Sequence, residues 1–330
     1  MKFSLIICTY HRSKALLKVL ESVKAQTKCP NQIIIVDGSL DQYTQVALEK
    51  TSFSNLNYYQ VEEKYRGLTK QRNFGISKVG ANIDVVCFLD DDVVLEQNYF
   101  EMLLNTYQKY PEAIGVGGYI KDVVEWVPSN ESYSVKYDDY TKDGYVRKLG
   151  SRNVLRKKLH LLSDQPPGFM PKFSNGLSIG FLPPSNKIYK VEFLMGGISS
   201  FKNELLENLK FSEYFEGYGL YEDMDFCLRA SKIGQLYVNT AAKLDHNHEP
   251  DGRPNQFDYG KMVLRNGWYV WRVKYPKPDL KSKLKWHATA FVLTLVRFTN
   301  VLNSSEKKAA FTESIGRIVG WWSLWWNLPK

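Results

Sequence analysis

Apolar runs and stretches of helical spacing alternate along the first third of the chain. Four short apolar runs predict strands, at Phe3–Cys8, Ile33–Val36, Tyr58–Val61 and Val85–Leu89. The segments between them predict helices: one behind Arg12 with Leu16, Leu20 and Val23 on one side, then about Gln42–Lys50, Leu68–Val79 and Glu96–Lys109. Because strand and helix alternate over short connections, the pattern predicts an α/β fold with a doubly wound, mostly parallel sheet.

The pattern is less regular beyond residue 120. The segment Gln165–Ser185 is rich in turn-forming residues and is expected to be mostly loop. After it, Glu192–Gly197 predicts a strand that ends in glycines, Glu222–Ser231 a helix, and Leu236–Asn239 a further strand. The sequence contains no internal repeat and no low-complexity tract.

Polar clusters follow three of the predicted strands, at Thr9–Arg12, Asp37–Ser39 and Asp90–Asp92. Ligands of such sheets bind outside the carboxyl ends of the strands, so these clusters mark the expected site. Two carboxylates about 4 Å apart near a protein surface repel each other by roughly 4 kcal/mol. A divalent cation, Mg²⁺ or Mn²⁺, would relieve that repulsion between the three aspartates. The alternative is an acidic turn that caps the next helix.

The segment Tyr221–Arg229 is a second candidate for chemistry. Asp223 lies in the first turn of a predicted helix, where its carboxylate is placed to take a proton from an attacking hydroxyl. The competing explanation is the preference of helix starts for acids, together with an Asp225–Arg229 pair four residues apart. We adopt the pair for Asp225 and the general base for Asp223.

Further candidates are weaker when each is taken alone. His246 is the preferred additional metal ligand and His248 the reserve, and a solvated loop histidine is the alternative for both. Asp37 is placed to contact a nucleobase or ribose, although Asp-Gly-Ser also forms ordinary turns. Lys70 and Arg72 are placed to meet diphosphate oxygens, or else lie on a solvated helix face.

Taken together, the motifs resemble family 2 glycosyltransferases of the GT-A fold. The matching elements span roughly residues 3–248 in the family order: Ser4-x-x-x-Cys8-Thr9-Tyr10-His11-Arg12, Val36-Asp37-Gly38-Ser39, Gly67-x-x-x-Gln71-Arg72-Asn73-x-Gly75, Phe88-Leu89-Asp90-Asp91-Asp92, Leu194-Met195-Gly196-Gly197, Gly219-Leu220-Tyr221-Glu222-Asp223 and His246. Processive polysaccharide synthases share the early motifs but also carry a Gln-x-x-Arg-Trp element and several membrane spans, which this sequence lacks. A transferase that adds one sugar is therefore expected.

The resemblance implies roles for individual residues. Asp37 would contact the base, and Thr9 and Arg72 would help to hold the nucleotide. Asp90 and Asp92 would be the two aspartates of the DxD motif, with Asp92 on the metal and His246 beside it. Asp223 would be the general base of an inverting reaction. The neighbouring motif residues complete the expected nucleotide site: Tyr10, Arg12, Gly67, Asn73 and Asp91.

The last quarter of the chain differs in composition from the rest. Residues 253–330 hold 14 Lys and Arg against 4 Asp and Glu, and seven of the eight tryptophans. Apolar residues lie at helical spacing in two stripes: Phe291, Leu295, Phe298 and Leu302, then Phe311, Ile315, Val319, Trp322 and Trp326. No run there reaches the ~20 apolar residues of a membrane span. Basic amphipathic helices with tryptophan suit an anionic membrane surface, whereas packing against protein is the alternative.

These observations define the expected organisation and activity. Residues 1–252 would form the GT-A catalytic domain, with a nucleotide-binding half (1–118) and an acceptor half (119–252), and residues 253–330 a helical extension. The expected enzyme transfers a hexosyl group from a UDP, dTDP or GDP sugar to a lipid-linked or nascent glycan, as in polysaccharide or cell-envelope biosynthesis. A non-catalytic nucleotide-sugar or glycan binding protein is the alternative.

Two further expectations concern where the chain works and what else it binds. Four scattered cysteines and a first strand that begins at Phe3 favour a cytoplasmic protein at the inner face of the cell membrane. No nucleic-acid motif accompanies the basic charge, so no nucleic-acid partner is expected. A nucleotidyltransferase would be expected to carry a glycine-rich phosphate loop after the first strand. The residues there, Thr9–Arg12, contain no glycine.

Overall fold

The protein is described from a computed structural model of its 330 residues. The described residues are all except 50, 52, 122–123, 131–132, 216, 248–253, 304 and 330. The chain divides into two compact units. The first comprises Met1–Val124 and Leu182–Gly252, and the second comprises Glu125–Phe181 and Arg253–Lys330. The domain boundaries expected from the sequence, at residues 118 and 252, stay predictions.

The strands and helices are numbered in chain order. The strands are β1 Phe3–Thr9, β2 Gln32–Asp37, β3 Leu56–Gln60, β4 Val85–Leu89, β5 Val93–Leu95, β6 Ala113–Ile120, β7 Val127–Pro128, β8 Asp139–Lys142, β9 Tyr145–Lys148, β10 Ile188–Val191, β11 Ile198–Lys202 and β12 Gln235–His246. The helices are α1 Ser13–Lys24, α2 Tyr43–Glu49, α3 Leu68–Ile76, α4 Tyr99–Lys109, α5 Ser151–Lys158, α6 Asn203–Asn208, α7 Glu222–Ala230, α8 Gln256–Lys274, α9 Leu280–Asn303 and α10 Lys307–Ser323.

The first unit is built on one mixed sheet with the strand order β10-β12-β6-β11-β4-β1-β2-β3, and β5 pairs with the far end of β12. Strands β3, β2, β1 and β4 run parallel to one another, and β12 runs parallel to β6. Thr9 is paired with Asp37, and Ile7 with Leu89, so the carboxyl ends of β1, β2 and β4 meet at one edge. The predicted doubly wound α/β sheet is confirmed.

The continuous apolar runs of β1, β2 and β4 follow from burial on both faces of the sheet. Leu5 and Ile7 of β1 belong to the large core that α1 and α4 cover. Ile6 points to the other face, where Gly75 of α3 approaches so closely that a Cβ there would lie 2.8 Å from Ile6 Cγ2. Alternate residues therefore pack against helices on opposite sides, and the buried Ser4 of β1 donates to Gln32 Oε1 of β2 at 2.8 Å.

The prediction of a strand at Glu192–Gly197 is wrong. Strand β10 ends at Val191, β11 begins at Ile198, and the glycines form a turn between them. A Cβ on Gly196 would lie 2.7 Å from Glu222 Oε1, and one on Gly197 would overlap the Asp90 carboxylate. The segment turns here because side chains of the candidate site occupy the space that strand side chains would need.

The second unit combines a small antiparallel sheet, β7-β9-β8, with α5 and the three C-terminal helices. Helices α8 and α10 pack through glycines, since a Cβ on Gly316 would overlap the Phe257 carbonyl and one on Gly320 would lie 2.9 Å from Lys261 Cα. Trp271 is fully buried and donates from Nε1 to the Lys172 carbonyl at 2.8 Å. The predicted C-terminal helices are confirmed. None of the described helices has an apolar stretch long enough to cross a bilayer.

Candidate functional site

The ends of β1 and β4 are tied together by Asp91. Its carboxylate accepts a hydrogen bond from Thr9 Oγ1 at 2.7 Å and another from Arg12 Nη1 at 3.0 Å. Arg12 Nη1 also lies 3.6 Å from Asp92 Oδ2. Burial raises the pKa of Asp91 to about 6, against the opposing effect of these two partners. Asp91 thus points into the protein and fixes the strand ends that carry its neighbours.

Asp90, Asp92 and His246 form a possible metal-binding group. One ligand atom from each lies within 4.8 Å of the others, and His246 Nε2 is 2.9 Å from Asp92 Oδ1. The pairing of β12 with β5, which sets His246 opposite Val93, brings the imidazole to the aspartates from 154 residues away. His248 lies outside the described residues.

This donor set fits a divalent cation. Carboxylate oxygens are the ligands of Mg²⁺ and Mn²⁺, and an imidazole nitrogen is an acceptable further ligand for Mn²⁺. Burial raises the pKa of Asp90 and the Asp92 carboxylate raises it further, so a positive charge between the two would oppose their repulsion. The predicted metal ligands are therefore brought together.

A buried ion pair joins α3 to α7. Arg72 of α3 is 3% exposed, and its Nη1 donates to Glu222 Oε1. Arg72 Nη2 lies 3.7 Å from Asp90 Oδ1, and its guanidinium stacks over Phe211, 5.2 Å from the ring centre. Burial, with the neighbouring Asp223 carboxylate, raises the pKa of Glu222. The buried cation is thus held between two carboxylates rather than lying on a solvated helix face.

Asp223 lies in the first turn of α7 and is half-buried. Its Oδ2 accepts from the Gly196 N–H at 3.0 Å, and its Oδ1 accepts from the Met224 N–H at 2.7 Å. Burial raises its pKa, although both N–H groups and Arg72 act in the opposite direction. Asp225, by contrast, pairs with Arg229 at 2.6 Å, as expected from their spacing.

The turn at Gly196–Gly197 links the base candidate to the metal candidates. Gly196 donates its N–H to Asp223, while Asp90 lies against Gly197 and donates its own N–H to the Gly197 carbonyl at 3.0 Å. Asp90 and Asp223 therefore flank the same two-residue turn and share the Arg72–Glu222 pair beside it.

The amino-acid pattern of residues 4–196 matches the family model described as glycosyl transferase family 2. The match covers more than half of the chain. The chain belongs to this family.

Two curated relatives are similar to part of the chain. The chain is 34% identical over 130 residues to a glucosyl-dolichyl phosphate glucuronosyltransferase of Haloferax volcanii, covering 38% of this chain and 40% of that protein. It is 30% identical over 149 residues to the glycosyltransferase GlyA of Streptococcus pneumoniae, covering 45% of this chain and 20% of that protein. The aligned region thus spans less than half the length of either relative.

A solved structure confirms the GT-A fold of this family 2 member. The crystal structure of GalNAc-T7 with UDP, GalNAc and Mn²⁺ superposes with a TM-score of 0.54 at 13% sequence identity, covering 98% of this chain and 56% of that one. Identity at this level supports the architecture alone.

Several predicted nucleotide contacts of this family 2 chain have other partners in the structure. Asp37 is fully buried, with Oδ1 bound to Ser39 and Oδ2 accepting from Tyr58 Oη at 2.9 Å. Asn73 binds both the carbonyl and the N–H of Phe211, each at 2.9 Å. Tyr10 is exposed, and Gly67 begins α3 at a φ of 108°. Their contacts with a nucleotide stay predictions.

Two residues of the site were missed by sequence reasoning. Glu222 is named above only as part of the motif that contains Asp223. A buried arginine such as Arg72 is stable only with a carboxylate beside it, and Glu222 is that partner. Gln71 donates from Nε2 to the carbonyls of Thr9 and Val36, at 3.1 and 2.9 Å, and so supports two strand ends. The Gln71-Arg72 pair within a family motif was the available signal for both.

Proposed function

We propose that this chain is an inverting, cation-dependent glycosyltransferase. It would take a sugar from a UDP, dTDP or GDP sugar and attach it to a hydroxyl of a lipid-linked or nascent glycan, in polysaccharide or cell-envelope biosynthesis. One observation supports this most strongly: Asp90 and Asp223 lie on either side of the Gly196–Gly197 turn. Asp90 is also a member of the possible metal-binding group. A site that only bound a nucleotide sugar would not need a half-buried carboxylate of raised pKa beside the metal ligands.

Asp90, Asp92 and His246 would hold the cation, with Mn²⁺ favoured by the imidazole. When bound, it would neutralise the charge that develops on the leaving diphosphate. Arg12 lies near Asp92 and Arg72 near Asp90, and both guanidiniums add positive charge at that edge of the sheet. Thr9, Asp37 and the other motif residues are proposed to orient the nucleotide.

Asp223 is proposed to accept the proton of the acceptor hydroxyl. The acceptor oxygen forms a bond to the anomeric carbon, the bond from that carbon to the diphosphate oxygen breaks, and its electron pair leaves with the nucleoside diphosphate. The proton ends on Asp223, and the configuration at the anomeric carbon inverts. A raised pKa makes this carboxylate a stronger base than an ordinary aspartate.

A panel of nucleotide sugars tests the proposal. We expect one donor to raise the unfolding temperature when Mn²⁺ is present, because a ligand of the native state stabilises it. The same donor should be slowly hydrolysed by the wild-type protein, and Asp223→Asn should keep the stabilisation but lose the hydrolysis. Stabilisation of the wild type without turnover on any acceptor would instead identify a non-catalytic binding protein.

The proposal also places the enzyme at the cytoplasmic face of the cell membrane, where a lipid-linked acceptor would be found. Its support is the excess of ten basic over acidic residues in 253–330.

A further inference from the structure

Helix α9 exposes a straight stripe of apolar side chains. Successive members are separated by four and three residues in alternation, which keeps them on one side of a helix. All are exposed, with Leu302 78% and Phe298 42% accessible at the extremes: Leu284, Ala288, Phe291, Leu295, Phe298 and Leu302. A soluble helix normally turns such a stripe toward a core.

Helix α10 and the turn after it continue this surface with a second stripe. The same spacing relates Phe311, Ile315, Ile318, Trp322 and Trp325, and Trp326 follows. The rings of Phe298 and Phe311 lie 6.1 Å apart, and those of His287 and Trp325 lie 6.5 Å apart. These contacts join opposite ends of two antiparallel helices. We call the two stripes together the aromatic face.

The aromatic face is not the packing side of these helices. Helix α10 buries Ala310, Ser314 and its glycines against α8, and α9 buries Trp286 and Thr289 instead. The packing sides of both helices are thus already covered, while Trp322, Trp325 and Trp326 stay 61–78% exposed. Large exposed apolar surfaces on a folded protein mark a binding surface.

The charge around the aromatic face is basic and is distributed at its two ends. Arg297 and Arg317 are not available to a partner, because Glu313 accepts from both, at 2.6 Å in each case. The exposed lysines lie at the first turns of the helices: Lys281 and Lys283 on α9, Lys307 and Lys308 on α10. Within residues 279–328 the acids are Asp279, which accepts from the Ser282 N–H at the start of α9, Glu306, and the buried Glu313.

We propose that the aromatic face inserts into the interfacial region of an anionic lipid monolayer, with the lysines at the headgroups. Tryptophan and phenylalanine beside lysine are the side chains suited to that depth. A second copy of this chain is a poorer fit, since a two-fold interface would set one basic rim against another with few carboxylates to match them. The aromatic face would be the surface by which the chain reaches the membrane location proposed above. It rests on that location and does not depend on glycosyl transfer.

The test is sedimentation of the full chain with vesicles of phosphatidylcholine, with and without phosphatidylglycerol. We expect binding to the anionic vesicles, a blue shift of tryptophan fluorescence, and weakening by salt. Joint replacement of Trp322, Trp325 and Trp326 by Ala should weaken binding at least about tenfold, as apolar area is lost. Replacement of the four lysines by Gln should cost about fivefold for each lysine near the surface.

Matched variants lie on the first unit. Ile233→Ser removes a side chain that is 63% exposed, and Lys18→Gln with Lys109→Gln removes exposed charge, so all should bind vesicles like the wild type. Absence of vesicle binding, or a dimer that the Trp replacements dissociate, would overturn the proposal. Donor hydrolysis in detergent-free buffer is measured on the same variants. If the wild type binds vesicles but hydrolyses no donor, the proposed glycosyl transfer is wrong and the proposed membrane surface stands.

Discussion

The carboxyl edge of the first unit and the aromatic face of the second depart from ordinary burial in opposite directions. Around Arg72, charged groups lie inside the protein, and on α9 and α10 large apolar groups lie outside. Charged residues are seldom fully buried unless paired, and broad apolar patches are seldom exposed. We propose that each region is completed by another molecule: a cation with a diphosphate in one case, lipid in the other.

The two departures differ in what they cost the folded chain. Buried charges must be compensated within the protein, and Arg72 is held by Glu222 with Asp90 nearby. Exposed aromatic side chains need no internal partner, so removing one should leave the fold almost unchanged. Substitutions should therefore affect chemistry and stability in the first region and vesicle binding alone in the second.

The largest expected effect is on the transfer rate. Asp223→Asn removes the proposed base while keeping an oxygen that can accept from the Gly196 N–H. The rate of transfer should fall by about 10²–10⁴-fold, the usual contribution of a general base. The bond from the Met224 N–H loses its acceptor, so the free energy of unfolding should fall by about 1 kcal/mol, while vesicle binding should be unchanged. A variant that keeps more than half of the wild-type rate would remove Asp223 from the mechanism.

The next effect is on stability. Glu222→Ala leaves Arg72 buried without its main partner, and the free energy of unfolding should fall by about 3–5 kcal/mol. Urea denaturation followed by circular dichroism measures it. Glu204→Ala is the control, because its side chain is 74% exposed beside Lys202 and should cost less than about 1 kcal/mol. Equal losses for the two variants would show that the buried pair is not a special support of the site.

A smaller effect should separate the two faces of α10. Gly316→Val places a side chain against the Phe257 carbonyl and should lower the free energy of unfolding by about 1–3 kcal/mol through overpacking. Ile318→Ser changes a residue of the aromatic face that is 38% exposed and lies about 200° around the helix from Gly316. It should alter the free energy of unfolding by less than about 0.5 kcal/mol. If Ile318→Ser were the more destabilising, the aromatic face would be part of the core.

The pH dependence gives the most gradual effect. The proposed base works only when ionised, and burial raises the pKa of Asp223 above the ordinary value of 3.8. Activity should therefore be present above this raised pKa and fall as pH decreases through it, by about tenfold per pH unit. Initial rates measured at saturating Mn²⁺ would show it. An acid limb at or below 3.8 would contradict the assignment.

Much of the sheet could be predicted from the sequence because a strand that is buried on both faces consists of an unbroken run of apolar residues. Strand β4 has the predicted bounds, and β1 and β2 differ from them by one residue. The convergence of Asp90 and Asp92 at the sheet edge followed from strand topology alone. The sequence favoured His246 over His248 as a metal ligand without a structural reason. The register of β12 against β5 supplies one, because it sets His246 opposite Val93 and so beside the aspartates.

What could not be predicted depends on contacts between distant parts of the chain. Leu194 and Met195 are apolar, so Glu192–Gly197 looked like a strand, and only the space taken by Asp90 and Glu222 makes it a turn. The Arg72–Glu222 pair spans 150 residues. The contact of Arg297 with Glu313 depends likewise on the packing of α9 against α10.

Pulsed electron paramagnetic resonance of Mn²⁺ tests the central claim most directly, with UDP, dTDP and GDP added in turn. The account predicts one bound Mn²⁺ per chain whose spectrum shows coupling to an imidazole nitrogen. That coupling should disappear in His246→Ala, binding should weaken strongly in Asp92→Asn, and both should persist in Asp223→Asn. Nitrogen coupling that survives in His246→Ala, or no bound Mn²⁺ with any of the three nucleotides, would contradict it.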